Sequence, residues 1–229
     1  MNKVLFWDFD GTLVIPNEAF TWALWKALQH FGYEMPFEKV RPCINKVIPW
    51  HTNDSVYPQK TGMMWWDDVY IRAVPFYEEY GVRKNDYDNI NKQFRKKMLE
   101  YSHTLYSDAD EVLAKCMELG YTNCILSNNY PELPEMIAAL GLGKYFSDYF
   151  VSSNVGYDKP RREIFMYAAE KNSNPDIMYM IGDNYTADIM GASAAGLRTI
   201  FVPRKPYDKQ NCHADHICEN LSEIPKVLV

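Results

Sequence analysis

Long apolar runs are missing from this sequence of 229 residues. The first run, at residues 4–7, meets Asp8 at once and is far shorter than the apolar region of a signal peptide, and no later run approaches the length of a membrane span. Apolar residues still make up 47% of the chain, which is enough to fill a core. We therefore expect a soluble, cytoplasmic globular protein without a membrane partner.

An excess of positive charge is also missing. The formal net charge is -6 and the isoelectric point is about 5.4, a balance that argues against a nucleic-acid-binding surface. An anionic substrate would then need positive charge supplied locally at its binding site.

Cysteine is scarce and odd in number, with five residues. This fits reduced thiols in the cytoplasm better than a disulfide framework. The segment CHADHIC, at residues 212–218, brings two cysteines and two histidines together, but their spacing matches no usual tetrahedral zinc pattern. We interpret it as a loop that leads into a short strand at 216–218, before a terminal helical turn at 222–227.

The remaining pattern alternates between strands and helices. Continuous apolar runs, typical of buried parallel strands, occur in VLFWDFDG (4–11), TNCILSNN (122–129), IMYMIGDN (177–184) and LRTIFVPR (197–204). Helical segments are predicted at 108–119, 133–140, 161–171 and 185–195, most of them ending at a glycine. The alternation predicts an α/β fold, a doubly wound parallel sheet with a Rossmann-like core that binds ligands at the carboxyl ends of its strands.

About ninety residues after the first strand break this alternation. Helices are predicted at 18–31, 65–80 and 87–101, and the proline-rich stretch 35–62 is predicted to be irregular. The predicted division is therefore an α/β core at 1–15 and 103–229, with an inserted helical cap domain at 16–102. Five tryptophans of this insert are interpreted mainly as packing residues, although some could stack on a base or sugar of a substrate; these are Trp22, Trp25, Trp50, Trp65 and Trp66.

Two carboxylates follow the first strand. Side chains two positions apart on a strand point the same way, so Asp8 and Asp10 can share one side while Phe9 faces the other. Gly11 then allows a turn in which the backbone approaches a ligand. Two such charges about 4 Å apart would repel by roughly 4 kcal/mol at an effective dielectric of about 20. A cation between them is therefore expected.

Other strand ends supply the partners for this pair. Asp183 ends the third run and Asp188 follows about one helical turn later, which completes a set of oxygen ligands suited to Mg²⁺. Ser127 and Asn128, after the second run, can donate hydrogen bonds to a phosphoryl group. Lys159, beside Pro160, offers a charge that can stabilise a transferring group. Taken singly, each of these features is more often a helix cap, a turn or a surface dipeptide; their order along the chain favours a single site.

At these residues the chain resembles the haloacid dehalogenase (HAD) superfamily, in particular its phosphatases with a helical cap (subfamily I). The resemblance spans nearly the whole chain but is weakest in the cap. Its four motifs are matched by residues 8–13, by Ser127 with Asn128, by Lys159 with Pro160, and by Gly182, Asp183 and Asp188.

The resemblance implies a mechanism. Asp8 would attack phosphorus and form an aspartyl-phosphate, while Asp10 would protonate the leaving oxygen and later activate water. Mg²⁺ would be held by Asp8, by Asp183 and by the backbone carbonyl of Asp10, with Asp188 orienting the site. Ser127 and Lys159 would bind the phosphoryl oxygens, and Asn128 would help to shape the pocket.

The implied activity is hydrolysis of a small phosphate ester, such as a sugar phosphate, a phosphoglycolate-like acid or a nucleotide. Asp10 disfavours dehalogenase activity, and phosphonatases of this superfamily carry a different residue at that position. A phosphoglucomutase-like phosphoryl transferase uses the same two aspartates and stays open, as does a non-catalytic regulatory binder on the same fold. The substrate is left open, and the protein is expected to be a monomer or a homodimer.

Overall fold

The computed structural model describes residues 1–51 and 57–228, and the chain divides into two compact units. The first unit comprises Met1–Pro16 and His103–Val229, and the second comprises Asn17–Ser102. These divisions lie within one residue of the boundaries expected from the sequence. That the second unit acts as a cap for the site stays a prediction.

The first unit is built on a six-stranded sheet in the order β3-β2-β1-β4-β5-β6, in which every neighbouring pair is parallel. Its strands are β1 (Lys3–Trp7), β2 (Thr122–Ser127), β3 (Phe146–Val151), β4 (Ile177–Gly182), β5 (Arg198–Phe201) and β6 (His216–Ile217). The predicted doubly wound α/β fold is thereby confirmed. The strand order reverses between β1 and β4, and ligands bind at such a switch point in sheets of this kind.

Both faces of the sheet are covered, which explains why its strands read as continuous apolar runs. Along β1, Leu5 and Trp7 belong to one buried cluster, whereas Val4 and Phe6 belong to the other. Phe9 belongs to the same cluster as Leu5 and Trp7. The apolar strand is therefore fixed from both sides up to the residue before Asp8.

Apart from α7, which was not predicted, the helices of the first unit lie close to their predicted positions. They are α5 (Ala109–Glu118), α6 (Leu133–Ala139), α7 (Ser152–Val155), α8 (Arg162–Lys171), α9 (Gly191–Ala195) and α10 (Ile224–Val227). The predicted helix at 185–195 is in fact a π-helical turn, Tyr185–Met190, followed by α9. Asn184 starts this turn by accepting a hydrogen bond from the amide of Ala187 at 3.0 Å. Such turns are rare and often occur at functional sites.

Two further expectations about secondary structure were wrong. The strand β3 was missed because it is an edge strand whose Ser147 and Asp148 are exposed, so it forms no continuous apolar run. The stretch 35–62 is not irregular throughout, because Phe37–Val47 forms the helix α2 despite Pro42. Pro42 removes one backbone hydrogen bond, but buried side chains at helical spacing compensate; these are Val40, Cys43, Ile44 and Val47. Residues 52–56 of that stretch lie outside the described residues.

The second unit is helical. Besides α2 it contains α1 (Ala19–His30), α3 (Met63–Glu79) and α4 (Tyr87–Glu100). Trp65 and Trp66 are buried, and Trp66 packs edge-to-face on Phe94 at 5.5 Å between ring centroids. Trp50 stacks on Trp65 at 5.5 Å. Packing therefore accounts for Trp65 and Trp66, in agreement with the interpretation of the tryptophans as mainly structural.

Two features bear on the environment of the chain. None of the helices in residues 1–51 and 57–228 combines the length and the apolar character needed to cross a membrane. All five cysteines are free thiols, and four of them are buried.

Candidate active site

Asp8 lies directly after β1, and three side chains donate hydrogen bonds to its carboxylate. Ser127 Oγ and Lys159 Nζ donate to Oδ1, at 2.9 and 2.7 Å. Thr12 Oγ1 lies 3.4 Å from Oδ2, in a longer contact. The backbone amide of Asp8 donates to the carbonyl of Ile181 at 2.9 Å and so extends the pairing of β1 with β4. The carboxylate is therefore held in a fixed position at the carboxyl end of β1.

Lys159 provides local positive charge, which we expected at the site because the chain as a whole is acidic. Its side chain is 2% exposed, and Nζ donates to Asp8 Oδ1 at 2.7 Å, to Asp188 Oδ1 at 2.6 Å and to the carbonyl of Leu126 at 2.9 Å. An ammonium has three N–H donors, and all three are used. Lys159 lies eight positions beyond β3. It is therefore positioned by the packing of a loop and not by the end of a strand.

Asp183 and Asp188 approach Asp8 from the end of β4. One carboxylate oxygen from each of the three residues lies within 4.8 Å of the others. Both oxygens of Asp188 accept hydrogen bonds, from Lys159 Nζ and from the amide of Asn184 at 2.9 Å. Among the residues that the structure describes, none donates a hydrogen bond to the Asp183 carboxylate. Asp183 is thus the carboxylate best able to bind a ligand directly.

Two glycines make room for these carboxylates. A Cβ atom at Gly11 would lie 2.4 Å from Asp183 Oδ2, and one at Gly182 would lie 2.1 Å from Asp188 Oδ2. Gly11 also has φ of +84°, a conformation that other residues rarely adopt. A side chain at either position would displace an acidic residue of the cluster.

The clustered charges change the proton affinity of the site. Burial, together with the charges of Asp8 and Asp188, raises the pKa of Asp183 to about 7, while Lys159 and Arg204 act in the opposite direction. Burial also raises the pKa of Asp188 above its usual range, against the charge of Lys159. Three carboxylates and one buried ammonium therefore leave the site with an excess of negative charge near neutral pH.

Asp10 is exposed, and a residue that the sequence analysis missed contacts its side chain. Asn129 Nδ2 donates to Asp10 Oδ2 at 2.7 Å, and Asn129 is only 1% exposed. The other end of the amide is fixed as well, because Asn129 Oδ1 accepts a hydrogen bond from the amide of Tyr130 at 3.0 Å. The repeated asparagine in SNN was the available signal, since the second asparagine also follows the end of β2.

Asn128 does not contact the acidic cluster directly. Its side-chain amide pairs with the backbone of Lys159, donating to the carbonyl at 3.0 Å and accepting from the amide at 2.7 Å. It therefore fixes the loop that carries Lys159. Arg204 was also missed: it follows β5 and donates two hydrogen bonds to the carbonyls of Gly11 and Thr12.

The site residues identified from the sequence thus meet at one edge of the sheet. Asp8, Ser127, Lys159, Asp183 and Asp188 are linked by the contacts described above. Asp10 lies two positions after Asp8 and is hydrogen-bonded to Asn129. Convergence of this kind is expected where the carboxyl ends of parallel strands meet. The roles given to these residues stay predictions.

Similarity to known proteins agrees with the motifs. Residues 2–196 match the model of the haloacid dehalogenase-like hydrolase family. The glyceraldehyde 3-phosphate phosphatase of Pyrococcus furiosus is 24% identical over an alignment of 239 positions, which covers 99% of this chain and 92% of that protein. The phosphoserine phosphatase of Thermus thermophilus is 33% identical over 112 residues, which cover 47% of this chain and 45% of that protein.

A solved structure shares the architecture over nearly the whole chain. It is the HAD-hydrolase YfnB of Bacillus subtilis, described as bound to magnesium, with a TM-score of 0.72 at 22% identity, covering 99% of this chain and 98% of that one. At this identity the likeness concerns the fold. The family match extends over most of the sequence and includes all four motifs. The protein is therefore a member of the haloacid dehalogenase-like hydrolase family.

Proposed function

We propose that the protein is a magnesium-dependent phosphomonoester hydrolase that acts on a small phosphorylated metabolite through an aspartyl-phosphate on Asp8. The observation that carries the proposal is the position of Asp8, which adjoins two further carboxylates as well as the donors Ser127 and Lys159. The two relatives described above are both phosphatases of small phosphorylated molecules. A sugar phosphate, a phosphoglycolate-like acid or a nucleotide are the substrate types that we consider.

The donor set fits Mg²⁺. All the available ligands are oxygens, which Mg²⁺ prefers. Burial, followed by the negative charges of Asp8 and Asp188, raises the pKa of Asp183, so a bound cation would be stabilised here. Asp8, Asp183 and the backbone carbonyl of Asp10 would hold the ion, and Asp188 would orient the site, since both of its oxygens already accept hydrogen bonds. When bound, Mg²⁺ would offset the repulsion between these carboxylates and the incoming phosphoryl group.

Hydrolysis of the phosphate ester by these residues would proceed in two displacement steps. In the first, an oxygen of Asp8 attacks phosphorus, the bond from phosphorus to the ester oxygen breaks, and Asp10 gives that oxygen a proton. In the second, water attacks the phosphorus of the aspartyl-phosphate and gives a proton to Asp10. The bond between phosphorus and the Asp8 oxygen breaks, and inorganic phosphate leaves. Asp10 thereby returns to its starting state.

Ser127 and Lys159 would bind the phosphoryl oxygens. Because Lys159 already uses its three donors, contact with a phosphoryl oxygen would share or replace one of the present hydrogen bonds. Its charge would then stabilise the negative charge that moves onto the phosphoryl group. The cytoplasmic location, the lack of nucleic-acid and membrane partners and the oligomeric state stay predictions.

The test is release of inorganic phosphate by the purified protein. A panel of phosphorylated metabolites and p-nitrophenyl phosphate is incubated with the wild type in Mg²⁺ and in excess chelator. We expect Asp8→Asn to lower kcat by about a thousandfold or more, since it removes the attacking oxygen, and chelator to abolish turnover. Asp148→Asn, at an exposed acid on β3, serves as the matched control.

Two results would reject the proposal: full activity of Asp8→Asn, or full activity in excess chelator. Incubation with a hexose phosphate separates the hydrolase from a mutase, because a mutase would yield isomerised sugar phosphate instead of inorganic phosphate.

A further inference from the structure

Arg204 joins the segment after β5 to the turn that follows Asp8. Its Nε donates to the carbonyl of Gly11 at 3.0 Å, and its Nη2 donates to the carbonyl of Thr12 at 3.1 Å. The planar guanidinium suits such a pair of acceptors, because its donors form a rigid fork. Two consecutive peptide groups of the turn are therefore fixed by one side chain from the other end of the sequence.

Tyr106 fixes Arg204 in turn. The guanidinium carbon lies 3.7 Å from the centroid of the Tyr106 ring, a close cation–π contact. The amide of Tyr106 donates to the carbonyl of Leu13 at 3.0 Å, so the turn is tied to the same residue by its backbone. Arg204, Tyr106 and residues 11–13 thus form a closed set of contacts.

The same turn borders the acidic cluster. The Cα of Gly11 is so close to Asp183 that a Cβ at this position would lie 2.4 Å from Oδ2. A shift of the turn would therefore move the backbone against Asp183, and it would also move the carbonyl of Asp10. Arg204 adds charge here, because it is one of two cations, with Lys159, that counteract the raised pKa of Asp183.

We propose that Arg204 is a positioning residue, whose fork holds the Gly11–Thr12 turn so that Asp8 and the carbonyl of Asp10 keep their places beside Asp183. The proposal deepens the proposed function and rests on it for the catalytic consequence. It differs from a role as a simple surface charge, since the geometry of the fork, and not the charge alone, is what the turn requires.

The experiment uses the full chain with two variants and one control. Arg204→Lys keeps the charge but loses the fork, whereas Arg204→Met loses both. Lys205→Met removes an exposed cation one position away, and among the described residues Lys205 has no hydrogen bond to the turn. For each protein we would measure three properties. These are the amide hydrogen exchange of residues 9–14 in the metal-free full chain, the Kd of Mg²⁺ by calorimetry, and kcat and KM for p-nitrophenyl phosphate.

We expect both Arg204 variants to exchange the amides of the turn about tenfold faster, because four of them donate within the turn. The Kd of Mg²⁺ should rise and kcat should fall, each by about tenfold or more, with KM changed less than about threefold. Lys205→Met should match the wild type in every measurement.

Wild-type exchange and wild-type Mg²⁺ affinity in Arg204→Met would overturn the proposal, and so would full recovery of all values in Arg204→Lys, which would leave only a role for charge. If Arg204→Met does not fold, Arg204→Lys decides the question. If the wild type releases no phosphate from any ester, the proposed function fails, while hydrogen exchange and calorimetry still decide the role of Arg204.

Discussion

The ammonium of Lys159 lies 2.6 Å from Oδ1 of Asp188, and both side chains are almost fully buried, with 2% and 1% of their side-chain surface exposed. A buried ion pair is costly to form but still more costly to break, since removal of one partner leaves an uncompensated charge. Removal of either side chain of this pair should therefore lower the free energy of unfolding.

Lys159→Met should lower the free energy of unfolding of the metal-free protein by about 3–5 kcal/mol, because Asp188 and Asp8 lose their shared counter-charge. Adding Asp188→Asn should recover part of this loss. Urea unfolding of the wild type, the two single variants and the double variant gives the coupling between the residues. Strictly additive effects would show that the two side chains do not stabilise each other.

Asn129 should matter most where the leaving group needs a proton. Asn129→Ala removes the donor that holds Asp10 Oδ2 at 2.7 Å, so Asp10 would protonate the leaving oxygen less effectively. We expect kcat to fall by about 10- to 100-fold for an alkyl phosphate. The decrease should be clearly smaller for p-nitrophenyl phosphate, whose leaving group departs readily without a proton.

Asn154→Ala provides the control for that comparison. Asn154 is an exposed asparagine of α7 whose side chain donates to the carbonyl of Pro131, and its removal should change neither rate. Equal losses of Asn129→Ala for both substrates would contradict a role in positioning the proton donor.

The sequence sufficed for the part of the site that depends on strand ends. Asp8, Ser127 and Asp183 follow or end apolar runs, and the parallel arrangement of these runs brings them to one edge. The same reasoning could not find Asn129 or Arg204. Asparagine after a strand is an ordinary turn residue, and nothing near Arg204 in the sequence shows that its fork meets a turn 193 positions earlier.

The fold was predicted well where burial is complete and poorly where it is partial. The central strands have apolar residues on both faces, whereas β3, at the edge, exposes Ser147 and Asp148 and was missed. The helix α2 was missed for a different reason: the low helix propensity of Pro42 was given more weight than the apolar face that the helix buries. In both cases the tertiary environment decided the local structure.

Gly182→Ala should disturb Asp188 in particular. The new Cβ would lie 2.1 Å from Asp188 Oδ2, so the buried carboxylate would have to move away from Lys159 and Asn184. We expect a loss of about 1–3 kcal/mol in the free energy of unfolding and a fall in kcat of about tenfold or more. Urea unfolding and steady-state kinetics would measure the two effects.

Gly143→Ala is the matched control, since its Cβ would meet the nearest atom, Cα of Ala138, at 3.4 Å, an ordinary contact. It should unfold and react like the wild type. A Gly182→Ala variant with wild-type stability and kcat would show that Asp188 tolerates displacement and does not orient the site.

The raised pKa of Asp183 predicts how the stability of the metal-free protein depends on pH. The pKa is about 7 in the folded chain, compared with an ordinary value of 3.8, so the folded state binds the proton more tightly than the unfolded state does. This protonation contributes stability that is fully present below about pH 4 and is lost as the pH rises through about 7. We therefore expect the ionisation of Asp183 to lower Tm by about 5 °C as the pH rises from 5.5 to 8.

The measurement is the difference between the wild type and Asp183→Asn in Tm at each pH, without metal. This difference is needed because burial lowers the pKa values of His51 and His103, which makes stability rise with pH and partly hides the effect. Mg²⁺ binds the ionised carboxylates, so it should raise the Tm of the wild type more at pH 8 than at pH 5.5 and have little effect on Asp183→Asn. Asp148→Asn should follow the wild type throughout. Parallel Tm curves for the wild type and Asp183→Asn would mean that Asp183 is already ionised at pH 5.5, and that Lys159 and Arg204 neutralise the cluster without a metal ion.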